Sequence, residues 1–302
     1  MDVYLPIANL AVNGLVIVLL GLVTGILSGI FGVGGGFLTT PLLIFYGIPP
    51  TVAAASAATQ VTGASVSGVM AHGRNKGVDY QIGLVIVAGG MLGALLGAGL
   101  FTLLRSVGQI DTVINILYVI LLGTIGSLML REALQSLGLV PKASGRALRR
   151  HHPWIAALPY RWRFYASGLY ISPIAPLILG IVVGTLTMLM GVGGGFIMVP
   201  AMLYILGMSA KVVVGTSLFN ILFITMLVTM VHALTTRAVD IVLAGLLLIG
   251  SVTGAQLGTR VAQFAKPEHL RLSLALVVLS IALVMVYGLA VQPSEVYSVV
   301  PL

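Results

Sequence analysis

The chain alternates long apolar runs with short polar breaks, and the run lengths set the architecture. A bilayer crossing needs about twenty apolar residues. Runs of that order occupy residues 10–30, 52–71, 81–104 and 113–130, then 173–190, 212–231, 241–264 and 272–290. A shorter run lies inside each half, at 37–46 and 196–206. Each follows a glycine-rich hexapeptide, Gly32-Val33-Gly34-Gly35-Gly36-Phe37 and Gly191-Val192-Gly193-Gly194-Gly195-Phe196. Consecutive glycines leave a helix readily, and an unpaired backbone N–H or C=O in hydrocarbon costs several kcal/mol. The two breaks are therefore expected to line a cavity. Paired glycine-interrupted segments in corresponding halves point to the substrate site of a secondary transporter.

The halves align residue by residue. Gly21, Gly25, Gly32, Gly34, Gly35, Gly36, Phe37 and Pro41 fall opposite Gly180, Gly184, Gly191, Gly193, Gly194, Gly195, Phe196 and Pro200. After a one-residue shift Ser56 meets Thr216, Gln60 meets Asn220 and His72 meets His232. A second shift brings Asp79 onto Asp240, and Gly89, Gly93, Gly97 onto Gly250, Gly254, Gly258. The expected fold is an all-α polytopic membrane protein built from two internal repeats, residues 1–130 and 172–302, joined by a basic cytoplasmic linker, 131–171.

Composition narrows the class. The chain is 59% hydrophobic and 7% charged, with a mean hydropathy of +1.14, far from the roughly one-quarter charged residues of soluble proteins. Without cysteine there is no disulfide, thiolate metal site or cysteine nucleophile. The first apolar run has no Lys or Arg before it, which reads as a membrane helix and not a cleaved leader. The net charge of +8 sits in short loops, which suits membrane orientation and not nucleic-acid binding.

Orientation follows from those cations. The linker holds Arg131, Lys142, Arg146, Arg149, Arg150, Arg161 and Arg163, with Trp154 and Trp162 suited to a headgroup region. If the short runs do not cross, the repeats are parallel, four spans each, and ten cations lie inside against five outside. If they cross, the repeats are inverted, 5+5. Thirteen then lie inside, Arg74, Lys76, Lys211, Arg260, Lys266 and Arg271 joining the linker, against Arg105 and Arg237 outside. The second count obeys the positive-inside bias better, and it places both termini outside.

The chemistry on offer is hydrogen bonding. Each break precedes a helix start, where free N–H groups and the dipole favour an anion. Ser56, Thr59 and Gln60, with Thr216, Ser217 and Asn220, form an uncharged set of hydroxyls and amides that could bind it, or could join helices as membrane glue. His72 and His232 end those helices and suit either a cap or a proton-coupling role, with Arg74 beside the first as a gating cation. Asp79 and Asp240 read as N-caps. The glycine ladders read as close packing. No catalytic constellation, metal-ligand spacing or cofactor motif appears, so neither enzyme nor cofactor is expected.

The two G-x-G-G-G-F breaks, their following prolines and the small-polar helices, Ala-Ala-Ser-Ala-Ala-Thr-Gln (54–60) and Val-Gly-Thr-Ser-Leu-Phe-Asn (214–220), resemble the sulfite exporter TauE/SafE family, the toluenesulfonate uptake permease group. The resemblance covers residues 10–290. It implies an inner-membrane permease for a small sulfur-containing oxyanion, sulfite or an organosulfonate such as sulfoacetate, driven by an ion gradient. The substrate-binding set would be Gly34, Gly35, Gly36, Ser56, Thr59, Gln60, Gly193, Gly194, Gly195, Thr216, Ser217 and Asn220, with His72, His232 and Arg74 for coupling or gating. The expected partners are the anion and membrane lipid, with a homodimer allowed. An anion channel and a non-transporting scaffold or sensor are the alternatives.

Overall fold

The structure is a computed structural model describing residues 2–31, 35–74, 77–138, 159–264 and 267–290. A hairpin of β1 (Asp2–Leu5) and β2 (Leu10–Asn13) leads into α1 (Gly14–Phe31), α2 (Gly36–Phe45), α3 (Pro50–Arg74), α4 (Tyr80–Ser106) and α5 (Ile110–Ser136). A second antiparallel hairpin, β3 (Trp162–Phe164) with β4 (Leu169–Ile171), leads into α6 (Ile174–Met190) and α7 (Gly195–Pro200). A π-helical turn (Ala201–Ile205), α8 (Ala210–Val231), a second π-helical turn (His232–Thr236), α9 (Ile241–Phe264) and α10 (Pro267–Ala290) follow. Among the described residues five segments are long and apolar enough to cross a membrane: Tyr80–Ser106, Ile110–Ser136, Val212–Thr236, Ile241–Gly258 and Leu272–Ala290. The protein is an all-α polytopic membrane protein.

The hairpins depart from the expected pattern. Residues 10–13, expected to begin the first membrane helix, are strand β2, and residues 162–171, expected as linker, fold as β3–β4. Strands of three or four residues carry too little alternation to stand out from an apolar run or a basic loop. Each hairpin nonetheless buries apolar side chains: Leu5, Ala8 and Val12 in the first, Phe164, Leu169 and Ile171 in the second.

Glycine dictates how the long helices meet. A Cβ on Gly89 or Gly93 of α4 would stand 2.2 or 2.1 Å from the carbonyl oxygens of Leu177 and Ile181 on α6. A Cβ on Gly250 or Gly254 of α9 would stand 2.1 or 2.2 Å from those of Val18 and Leu22 on α1. Backbones approach this closely only where glycine leaves the Cβ position empty, which is how small-residue faces associate in lipid. Both close pairs join one half of the chain to the other. Between them α3 packs on α8, where the hydroxyl of Thr62 donates to that of Thr225 at 2.9 Å.

Hydrogen bonds identify two ends of the molecule. Arg105 Nη1 donates to the Thr236 carbonyl at 3.0 Å, so α4 and α8 finish at the same end. That end carries β1–β2, whose Ile7 N–H bonds Asp240 at the start of α9, and the close of α2, where the Tyr46 hydroxyl accepts from the Asn13 N–H. The opposite end carries Asp79 at the start of α4 together with Ser167 of the β3–β4 turn. We call these the terminal end and the linker end.

The short runs behave as half-helices. Ten residues of α2 make about 15 Å of helix, half of a hydrocarbon core of about 30 Å. Gly35 folds back beside Thr24 and Ser28 of α1, and α2 returns to the end from which α1 started. Because α1 and α2 enter and return together, the later helices keep the same polarity as they would with two full crossings.

Candidate functional site

The two glycine breaks meet inside the protein. Phe37 and Phe196, each directly after its glycine run, stack with ring centroids 4.2 Å apart and planes 4° from parallel. A Cβ on Gly36 would stand 2.6 Å from Val61 Cγ2 and 2.7 Å from the Val192 carbonyl oxygen, and one on Gly193 would stand 2.5 Å from Val61 Cγ1. Val61 of α3 thus sits against both breaks.

Backbone geometry explains the second run of glycines. Gly191, Gly193 and Gly194 have φ of +70°, +74° and +78°, a region that side chains beyond glycine rarely enter. The chain thereby leaves α6, crosses Ala54 of α3 and restarts as α7. The carbonyl of Met190, the last residue of α6, accepts from the Tyr118 hydroxyl at 2.7 Å and from Thr40 Oγ1 at 3.3 Å, so first-half side chains satisfy this helix end. Neither Tyr118 nor Thr40 stood out in the sequence, because a single polar group in an apolar run does not reveal its distant partner. The first break differs. Gly35 caps α2 with φ −67° and ψ −14°, ordinary right-handed backbone. Gly34 lies outside the described residues.

The polar residues after the breaks fall into two sets. In the first, the hydroxyls are engaged. Ser56 Oγ accepts from the Asp240 N–H at 3.1 Å and Thr216 Oγ1 from the Asp79 N–H at 2.9 Å, while Thr59 Oγ1 donates to the Ala55 carbonyl of its own helix. In the second, Gln60 Oε1, Ser217 Oγ and both side-chain polar atoms of Asn220 are buried with no hydrogen-bond partner. Asn220 lies next to α4, where a Cβ on Gly83 would stand 3.5 Å from its Oδ1. Asn115 Oδ1 of α5 is buried and unpaired in the same way. Leaving such a group unpaired costs about 1–3 kcal/mol, which makes Gln60, Ser217 and Asn220 candidate ligand-binding groups.

Asp79 and Asp240 are N-caps, and each also reaches further. Asp79 Oδ1 accepts from the N–H groups of Gln81 and Ile82, and Oδ2 from the N–H and hydroxyl of Ser167. Asp240 Oδ1 accepts from Val242 and Leu243, and Oδ2 from the Ile7 N–H.

His232 is buried at the α8 π-helical turn. Its Nε2 lies 2.9 Å from the Met188 carbonyl, which can only accept, so Nε2 carries a proton; Nδ1 lies 3.0 Å from Thr236 Oγ1. Phe101 meets the ring edge-on. The backbone of His72 and Arg74 belongs to the last turns of α3, and their side chains lie outside the described residues.

A cavity of about 210 Å³ opens between α5, α7 and α10, lined by apolar groups including Ile125, Leu128 and Phe196, with the Tyr204 hydroxyl donating to Glu132 at its edge. It shares Phe196 with the breaks and none of the unpaired amides. Among the described residues no cluster of His, Cys, Asp and Glu could hold a metal ion.

The chain has known relatives. The family profile Sulfite exporter TauE/SafE matches residues 17–285. Two proteins of Bacillus subtilis (strain 168) are similar over nearly their whole lengths. "Probable membrane transporter protein YunE" is 27% identical over 90% of this chain and 97% of its own. "Probable membrane transporter protein YjnA" is 29% identical over 87% and 96%. A plant relative, "Sulfite exporter TauE/SafE family protein 3" of Arabidopsis thaliana, is 31% identical over 32% of this chain and 21% of its own. No solved structure matches. With the match running from α1 into α10 and both glycine breaks inside it, the chain belongs to the TauE/SafE sulfite exporter family of membrane transporters.

Proposed function

We propose that the protein is a secondary transporter that moves a small sulfur-containing oxyanion, sulfite or an organosulfonate such as sulfoacetate, across the inner membrane, coupled to an ion gradient by alternating access. The observation that carries this reading is the buried, unpaired set Gln60, Ser217 and Asn220. The unpaired donors among them, Asn220 Nδ2 and the Ser217 hydroxyl, can bind an oxyanion without a buried counter-charge, and Gln60 Oε1 can accept from a protonated oxygen of the same anion. The amides starting α2, next to Val61, add donors of the same kind. Two inverted repeats account for the doubled site, and they agree with α4 and α8 finishing at one end, as the thirteen-to-two charge count requires. Impermeant thiol reagents give an independent check on this. Gly108→Cys and Thr235→Cys should label from one side and Tyr165→Cys from the other; labelling of Gly108→Cys and Thr235→Cys from opposite sides would refute the inverted arrangement.

Flux and stability separate the binding role from membrane glue. In proteoliposomes Gln60→Met and Asn220→Leu should each cut sulfite or sulfoacetate uptake at least tenfold, about 1.4 kcal/mol. Because Gln60 Oε1 and both polar atoms of Asn220 have no partner to lose, thermal stability should hold or rise, most clearly in Asn220→Leu. Undiminished uptake of both anions in both variants would sink the site. Currents far above carrier turnover would move the reading to an anion channel, and absence of any flux to a scaffold.

A further inference from the structure

The two buried aspartates form the same device at opposite ends of the molecule. At the linker end, Asp79 holds the turn of the β3–β4 hairpin through Ser167, N–H at 2.9 Å and Oγ at 2.6 Å. Its own N–H is held by Thr216 of α8. At the terminal end, Asp240 holds the turn of the β1–β2 hairpin through the Ile7 N–H, and its own N–H is held by Ser56 of α3. Each carboxylate therefore divides its work: Oδ1 caps its own helix, and Oδ2 reaches a hairpin distant in the chain. Both aspartates are fully buried.

The hairpins are placed to close the two ends. Phe164, Leu169 and Ile171 pack in one apolar cluster with Ile82 of α4, Met202 and Leu206 after α7, and Val212 of α8. Leu5, Ala8 and Val12 pack in another with Leu43 of α2, Val52 of α3 and Leu243 of α9. Each thus covers the ends of the helices that lead inward to one glycine break. A two-stranded hairpin is marginal by itself in water, so its hold rests on three apolar side chains, the carboxylate and, for β1–β2, the Asn13 N–H bond to the Tyr46 hydroxyl. We infer that Asp79–Ser167 and Asp240–Ile7 are latches on two plugs, one at each membrane face, whose alternate release opens the central breaks to one side at a time.

This rests on the alternating-access reading, and the test needs no substrate, so it stands or falls apart from the choice of anion. Val61→Cys places the sole thiol of this cysteine-free chain between the breaks. Asp79→Asn keeps the cap oxygen and sets an N–H donor against the Ser167 N–H, so the latch keeps at most one bond, to the Ser167 hydroxyl. We expect Asp79→Asn to speed labelling of that thiol by an impermeant methanethiosulfonate at least threefold from the linker side and not from the other. Asp240→Asn should do the reverse, and the double variant should label faster from both. If an aspartate variant does not fold, Ser167→Ala and Ile7→Pro weaken the same latches from the hairpin side, with the same directions expected. Folded variants labelled at the parental rate from both sides, or accelerated from the same side by both latch lesions, would overturn the inference. Loss of sulfite and sulfoacetate flux with side-specific labelling preserved would instead condemn the substrate reading alone.

Discussion

Phe37 and Phe196 lie face to face, 4.2 Å between centroids, each the first side chain after its glycine run. Both are essentially fully buried, so the pair closes the point where the two halves meet. Truncating either ring leaves the other facing a void, and truncating both removes a contact already lost. In detergent unfolding, Phe37→Ala and Phe196→Ala should each destabilise the protein, and the double variant should fall short of the sum by about 0.5–1.5 kcal/mol. Additivity within about 0.3 kcal/mol would mean that the stacking carries no energy of its own.

The glycine breaks differ in what they tolerate. Gly194 has φ +78°, and a Cβ there would stand 2.5 Å from Val183 Cγ1. Gly35 has φ −67°, and its nearest obstacle is the Thr24 carbonyl oxygen at 3.3 Å. Gly194→Ala should cost at least about 1 kcal/mol more than Gly35→Ala in thermal unfolding, and it should weaken anion binding more. Equal effects would show that left-handed backbone is not what the second break needs.

The ladder glycines should be less forgiving still. A Cβ on Gly93 would stand 2.1 Å from the Ile181 backbone, whereas Gly99, on the same helix, has open space. Gly93→Ala must push α4 from α6 and should lower stability by about 1–3 kcal/mol or more. Gly99→Ala should be neutral or slightly stabilising. Matching melting temperatures for the two would contradict the packing described. For the same reason Gly99→Ala, and not Gly93→Ala, is the control for substitutions in the breaks.

His232 ties α8 to the Met188 carbonyl of α6 and to Thr236, whose carbonyl also receives Arg105. With both ring nitrogens engaged and a guanidinium close by, the ring reads as a clamp. His232→Gln should lower the melting temperature while leaving the shape of the pH profile of uptake unchanged between about pH 5 and 8. A flattened profile in folded protein would assign the proton-coupling role to this side chain.

Local chemistry was legible in the sequence and long-range partnership was not. The left-handed turns at Gly191, Gly193 and Gly194 follow from glycine itself, and the caps at Asp79 and Asp240 from an acid just before an apolar run. The same reasoning could not divide Ser56 and Thr216, spent on an aspartate far along the chain, from Gln60 and Asn220, left unpaired. That distinction depends on which helix faces which. Nor could it find the hairpins, since Leu10-Ala11-Val12 reads as the start of the apolar run that follows and Trp162 sits among linker arginines.

The pairing of α1 with α9 and of α4 with α6 bears on how the chain comes together. Neither half contains the surface that its own glycine face requires. As synthesis proceeds, α4 waits briefly for α6, but α1 must stand in lipid until nearly the whole chain has been inserted. Its bare glycine stripe, which binds backbone tightly and hydrocarbon poorly, is exposed throughout that interval. Assembly is therefore completed late and all at once, and a chain truncated before α9 leaves its first helix with no place to go.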